Sequence, residues 1–102
     1  MKFTLDIHPR AIADLDEIHA QLADYSPDAA DRIYTMIKHG VLSLSDFPRR
    51  CPQAPESARA SIEMRHLIVG NYRVIFTIIG RTVHVWCIRH AARDMFDPSE
   101  FL

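Results

Sequence analysis

One hundred and two residues, 48% of them hydrophobic and 25% charged, suffice for a single globular domain with one core and exclude a two-domain arrangement. The net charge of −1 excludes strong unaided binding to nucleic acid, because phosphate neutralisation supplies most of that affinity and needs a positive excess. No apolar run approaches the roughly 20 residues of a membrane span, and the first residues hold no signal-peptide core, so a cytoplasmic location without membrane contact is expected.

The chain opens with an alternating stretch, Phe3, Leu5 and Ile7 against Lys2, Thr4, Asp6 and His8. That is the pattern of a half-buried strand. Pro9 closes it and is tolerated in a first helical turn. Over residues 10–25 the apolar positions Ile12, Leu15, Ile18, Leu22 and Tyr25 recur at steps of three and four, one stripe of a helix, with Asp14, Asp16, Glu17 and Asp24 off it. Ser26-Pro27-Asp28 signals a fresh start: an N-cap serine, proline at the first helical position, and a carboxylate near the positive end of the dipole. The second helix should run to about residue 45 with Ile33, Ile37, Val41 and Leu44 inward. Gly40 weakens its middle by about 1 kcal/mol relative to alanine, which marks a close contact with a helix or the sheet.

Residues 46–60 read as a loop, broken by Pro48, Pro52 and Pro55. A stretch of that length without regular structure is often functional. Three strands follow, over 61–69, 71–79 and 82–88. Gly70-Asn71 and Gly80-Arg81 sit where hairpin turns belong, and links this short require antiparallel pairing. A two-residue turn and a bulged one place Arg65 and Arg73 on different relative faces, so the common face of these two arginines stays open. The order is β-α-α-β-β-β, an α+β domain over residues 1–102: an antiparallel sheet with a helical hairpin packed on one face.

Charge is distributed unevenly. Residues 1–48 carry four cations and eight anions, whereas residues 49–102 carry eight arginines and five acids. Every cation of the second part is arginine, whose planar fork suits carboxylate or phosphate. Cys87 lies in a strand and reads as a small buried hydrophobe. A zinc site from Cys51, Cys87, His84 and His90 lacks the paired short spacings of structural zinc, so no metal is expected. No phosphate-cradling glycine loop is present, and no cofactor is expected. His8, His19 and His39 carry no motif, and Trp86 reads as core.

The segment Met64-Arg65-His66-Leu67 through Gly70-Asn71-Tyr72-Arg73-Val74-Ile75-Phe76, and the close Arg89-His90-Ala91-Ala92-Arg93-Asp94, resemble the RelE/ParE superfamily of small toxins from type II toxin–antitoxin modules. The resemblance covers nearly the whole chain. It implies a protein that arrests growth until a cognate ParD-like or RelB-like antitoxin masks it. His90-Ala91-Ala92-Arg93-Asp94 and the near-neutral charge look more like the ParE branch. That branch implies inhibition of DNA gyrase by protein–protein contact, with Arg65, Arg73, Arg89, His90, Arg93, Phe96 and Phe101 as antitoxin- or target-binding residues. The tail over 95–102 would then be a contact surface.

The RelE branch instead implies a ribosome-dependent mRNA endonuclease. Cleaving RNA through its own 2′-OH needs a base, an acid and cations for the crowded phosphorane. Arg65, Arg73 and Arg93 would supply the charge and His90 the proton. The chain departs from that branch: the RelE-type lysine pair ahead of Arg73 is replaced by Ile62-Glu63-Met64-Arg65, and the RelE-type C-terminal tyrosine is missing.

Overall fold

The structure, a computed structural model, describes residues 2–91 and Pro98. Eight segments follow in order: β1 (Thr4–Ile7), α1 (Pro9–Ala23), α2 (Pro27–Ser43), 3-10 turns at Pro48–Arg50 and Pro55–Arg59, then β2 (Arg65–Val69), β3 (Tyr72–Ile79) and β4 (Thr82–His90). The α+β order read from the sequence is present. Among the described residues, no helix is long and apolar enough to cross a membrane.

The four strands form one sheet in the order β1-β4-β3-β2. Both hairpins have two-residue turns, since Val69 pairs with Tyr72 and Ile79 with Thr82. Each turn puts glycine first with a positive φ, 58° at Gly70 and 60° at Gly80, while Asn71 and Arg81 stay negative. That is the II′ pattern, whose twist matches the flanking strands. The antiparallel expectation holds for this meander. β1 differs: it lies parallel to β4, Thr4 opposite Thr82 and Ile7 opposite Val85. A helical hairpin between the first strand and the last supplies the long connection that parallel pairing requires.

The helices cover one face. Val74, Phe76, Val83, Val85 and Ile88 of the sheet pack with Ala11, Ile37, Val41, Leu44 and Cys51. α2 follows its predicted stripe, and Ser26 Oγ accepts a hydrogen bond from the Ala29 N–H as its cap. Gly40 meets the sheet: a Cβ there would lie 2.8 Å from Val69 Cγ2.

α1 keeps Leu15 and Ile18 of its predicted stripe against the core but is turned enough to leave the ends of that stripe outside. Ile12 and Tyr25 are 53% and 90% exposed, whereas Ala11 and Asp14 are buried. The cause is a polar contact rather than an apolar one. β1 ends opposite Val85, so β4 runs on beside α1, and there Asp14 accepts a hydrogen bond from the Ile88 N–H at 3.0 Å. A buried backbone donor left without an acceptor would cost more than the rotation. His8, which carries no motif, caps α1: its Nδ1 accepts from the Arg10 N–H, and its ring lies 5.8 Å from Trp86.

The opposite face of the sheet is only partly open. Residues 52–64 cross it instead of hanging free, after Cys51 has packed in the helix-side core. They bring Ala54 and Met64 onto Ile75 and Cys87 as a second, smaller core. Backbone bonds hold the crossing in place, from Ala54 N–H to Met64 O and from His66 N–H to Pro52 O. Ladder pairing in β2 therefore begins at Arg65, four residues later than expected from sequence.

Candidate functional site

Arg73 sits near the start of β3, on the face away from the helices, and is 4% exposed. Both of its terminal nitrogens donate to the carboxylate of Glu56, a residue of the crossing loop that is 0% exposed. Bidentate geometry of this kind is the strong form of an arginine–carboxylate pair. His66, opposite Ile75, completes the group: its Nδ1 accepts from Arg73 at 3.2 Å, which leaves the ring proton on Nε2. Burial, followed by the charge of Arg73, holds the His66 imidazole below its usual value. Arg73 thus enters the fold already neutralised.

The register now fixes the faces. Arg65 pairs with Phe76 and lies on the helix-covered side, whereas Arg73 pairs with Ile68 and points to the other. Arg65 is held by the chain itself, through Glu63 at 2.9 Å and the carbonyls of Arg49 and Cys51. Glu63 is in turn held below the usual carboxylate range, chiefly by the Gln53 amide and also by Arg65. Arg89 stands directly opposite Arg73 in the ladder, and each guanidinium has its own carboxylate, since Arg89 reaches Asp14 at 3.3 Å. His90 pairs with Tyr72, edge-on to its ring at 5.6 Å, and shares the helix-side parity of Tyr72 and Val74. Arg65 stands opposite Phe76 in the middle of β3, whereas His90 stands opposite Tyr72 at its start. Arg93, Phe96 and Phe101, and with them most of the predicted tail surface, lie outside the described residues.

The two cysteines lie in separate clusters, Cys51 with the helix-side core and Cys87 with the second core. Burial pushes the Cys87 thiol up to about 12 and also raises that of Cys51, so neither is a ready nucleophile or metal ligand. Among the described residues no cluster of histidine, cysteine or acid could hold a metal ion. Trp86 is half-buried and donates its indole N–H to Thr77 Oγ1 at 2.8 Å, with His84 stacked on it and bonded to Asp6. The described arginines can therefore brace the fold or meet a partner's acids. Arg65 and Arg73, the two arginines of β2 and β3, lie on opposite faces of the sheet.

Three residues were not given their roles by the sequence reading. Glu56 stands in a proline-broken loop with no periodicity to flag it, and Asp14 was assigned to the wrong side of its helix. Phe47 carries a left-handed backbone, φ 48°, that no residue type announces.

The chain matches the family model for the ParE toxin of the type II toxin–antitoxin system parDE over residues 5–95. It is 33% identical to Toxin RelE2 of Caulobacter vibrioides over 84 residues, which cover 82% of this chain and 90% of that one. Its fold is similar to a chain of the chromosomal ParDE TA system from P. aeruginosa, at TM-score 0.72 and 19% identity, over 87% of this chain and 96% of the other. It is also similar to a chain of the archaeal RelE–RelB complex from Pyrococcus horikoshii OT3, at TM-score 0.60 and 14% identity, over 92% and 100%. At such identities the structural likeness bears on the fold alone.

Proposed function

The chain belongs to the ParE toxin family of type II toxin–antitoxin systems, and from that premise we propose that it arrests growth by binding DNA gyrase in the cytoplasm, protein against protein, until a cognate antitoxin silences it. The observation that carries this reading is the buried Glu56–Arg73 pair. An RNA-cleaving site needs cations free to meet a phosphorane as its charge develops. In this chain the β3 arginine is already bound to a carboxylate, and Arg65 is bound to Glu63. The proton donor His90 and Arg73 are on opposite faces of the sheet. Side chains arranged in this way brace a surface for protein contact.

A RelE-like ribosome-dependent mRNA endonuclease is the second reading, favoured by the name of the Caulobacter relative, Toxin RelE2. Pulse-labelling of DNA and protein synthesis within minutes of inducing the chain without antitoxin separates the two. The gyrase reading expects DNA synthesis to stop first, with a DNA-damage response. Earlier loss of protein synthesis would overturn it in favour of the nuclease.

A further inference from the structure

Phe47 is, among the described residues, the one non-glycine with a positive φ, at φ 48° and ψ 56°. Bulky side chains avoid this region, and a residue before proline is pushed further from it. Pro48 follows and is buried, so the position has no freedom to relax by moving Pro48 outward. The ring gains nothing from the fold in return, since Phe47 is 78% exposed. Arg50 fixes the strained turn, donating from Nη1 to the carbonyls of Asp46 and Phe47 and from Nη2 to Ser43 Oγ. A rigid, strained turn that holds an aromatic ring in water is suited to a ring with a partner elsewhere.

The surroundings are cationic. Lys2 reaches Asp46 at 3.2 Å, Phe3 N–H bonds to Ser45 O, and Arg81 lies over the Phe3 ring at 5.0 Å. Arg65 bonds to the Arg49 carbonyl. This corner, where the start of β1 meets the end of α2, therefore gathers Lys2, Arg49, Arg50, Arg65 and Arg81 around two carboxylates, Asp46 and Glu63. Lys2, Arg49, Arg50 and Arg81 are all exposed.

We propose that this corner is the docking site for an acidic segment of the antitoxin, with Phe47 as its apolar anchor. The proposal rests on the toxin–antitoxin reading above. It moves the expected electrostatic contact away from Arg65 and Arg73, which are half-buried and buried, to Lys2, Arg49, Arg50 and Arg81, which are exposed although Lys2 also meets Asp46 and Arg50 also bonds to the turn. One aromatic ring within a net positive ring of side chains suits a short acidic peptide that carries an apolar residue. It is too small a charge for an unaided nucleic-acid site in a chain of net charge −1.

The test is Phe47→Gly. Glycine adopts the left-handed region without strain, so the melting temperature should hold or rise. Calorimetric titration with a cognate ParD-like antitoxin should meanwhile weaken by about tenfold. Arg49→Glu should slow association by a similar factor, roughly tenfold, in stopped flow at low salt. Unchanged affinity in Phe47→Gly would overturn the proposal. So would retained antitoxin affinity with lost toxicity, which assigns the corner to the cellular target. Sedimentation of the chain alone covers the remaining occupant: self-association that Phe47→Gly abolishes would assign the corner to a second copy. If wild-type chain failed to bind the antitoxin at all, the partner reading itself would fall, a result distinct from loss in the variant alone.

Discussion

Removing either member of the Glu56–Arg73 pair strands the other charge away from water. Glu56→Ala and Arg73→Ala should each cost about 3–5 kcal/mol in urea unfolding, the range for a broken buried pair. Glu56→Leu with Arg73→Met should recover most of that loss, because an apolar pair of similar volume needs no desolvation repaid. Losses below about 1 kcal/mol would class the pair with exposed bridges and remove the support it gives to the gyrase reading. His66 adds a pH dependence. Its folded imidazole resists protonation, while the unfolded chain takes up a proton near the ordinary value of about 6.5. The unfolded state then binds more protons in the window between the two values. Stability from this residue is complete above the ordinary value and declines as pH falls below it towards the folded pKa. His66→Gln should flatten that part of a urea-midpoint profile taken from about pH 7.5 to 5. A profile parallel to the wild type would remove His66 as its source.

Gly40 decides how closely α2 approaches the β2 edge. Alanine there would gain about 1 kcal/mol of helix propensity. Its Cβ would also press on Val69 Cγ2 at 2.8 Å and Leu67 Cδ2 at 3.3 Å. The branched valine cannot swing away, and overpacking of this sort costs about 1–3 kcal/mol. Gly40→Ala should therefore destabilise by about 1 kcal/mol net, and Gly40→Ala with Val69→Ala should lose less than the two single changes summed. A stabilised Gly40→Ala would mean that the helix can lift off the sheet at no cost. Much at this scale was legible beforehand. Ser26-Pro27 announced α2, Gly70-Asn71 and Gly80-Arg81 announced the hairpins, and Gly40 announced a close contact. These signals act over neighbours in the chain. The rotation of α1 was not legible, because it depends on Ile88, 74 residues away, offering an N–H to Asp14. The buried role of Arg73 was hidden for the same reason: its partner is 17 residues upstream in a loop without a pattern. The site was thus read as a set of residue types, while the faces those residues share awaited the register.

Across the whole molecule, charge is sorted as well as paired. Glu17, Asp24, Asp28 and Asp31 are exposed around the α1–α2 turn with Arg32 among them, whereas four of the exposed cations, Lys2, Arg49, Arg50 and Arg81, lie where β1 begins and α2 ends. A near-neutral protein can still steer a charged partner when its charges are separated in this way. Raising the salt from about 50 to 500 mM should slow antitoxin association more than it speeds dissociation, as stopped-flow mixing would read, because screening acts on the approach. Association rates indifferent to salt would exclude a charge-guided encounter. The α+β order was legible at this scale, since it follows from periodicity and segment order along nearly the whole chain, and the family was legible as a resemblance carried by residues 64–76 and 89–94.

The parallel contact between β1 and β4 has a consequence for the birth of the protein on the ribosome. Asp6 meets His84 across 78 residues of chain, and Val83 and Val85 close the core that β1 begins. While the helical hairpin is already outside the exit tunnel, it has no sheet to cover and its first strand has no neighbour. Contacts this distant in sequence form late and slowly. A product of interrupted translation that stops short of Val85 therefore lacks the finished sheet and should be without toxicity when induced on its own.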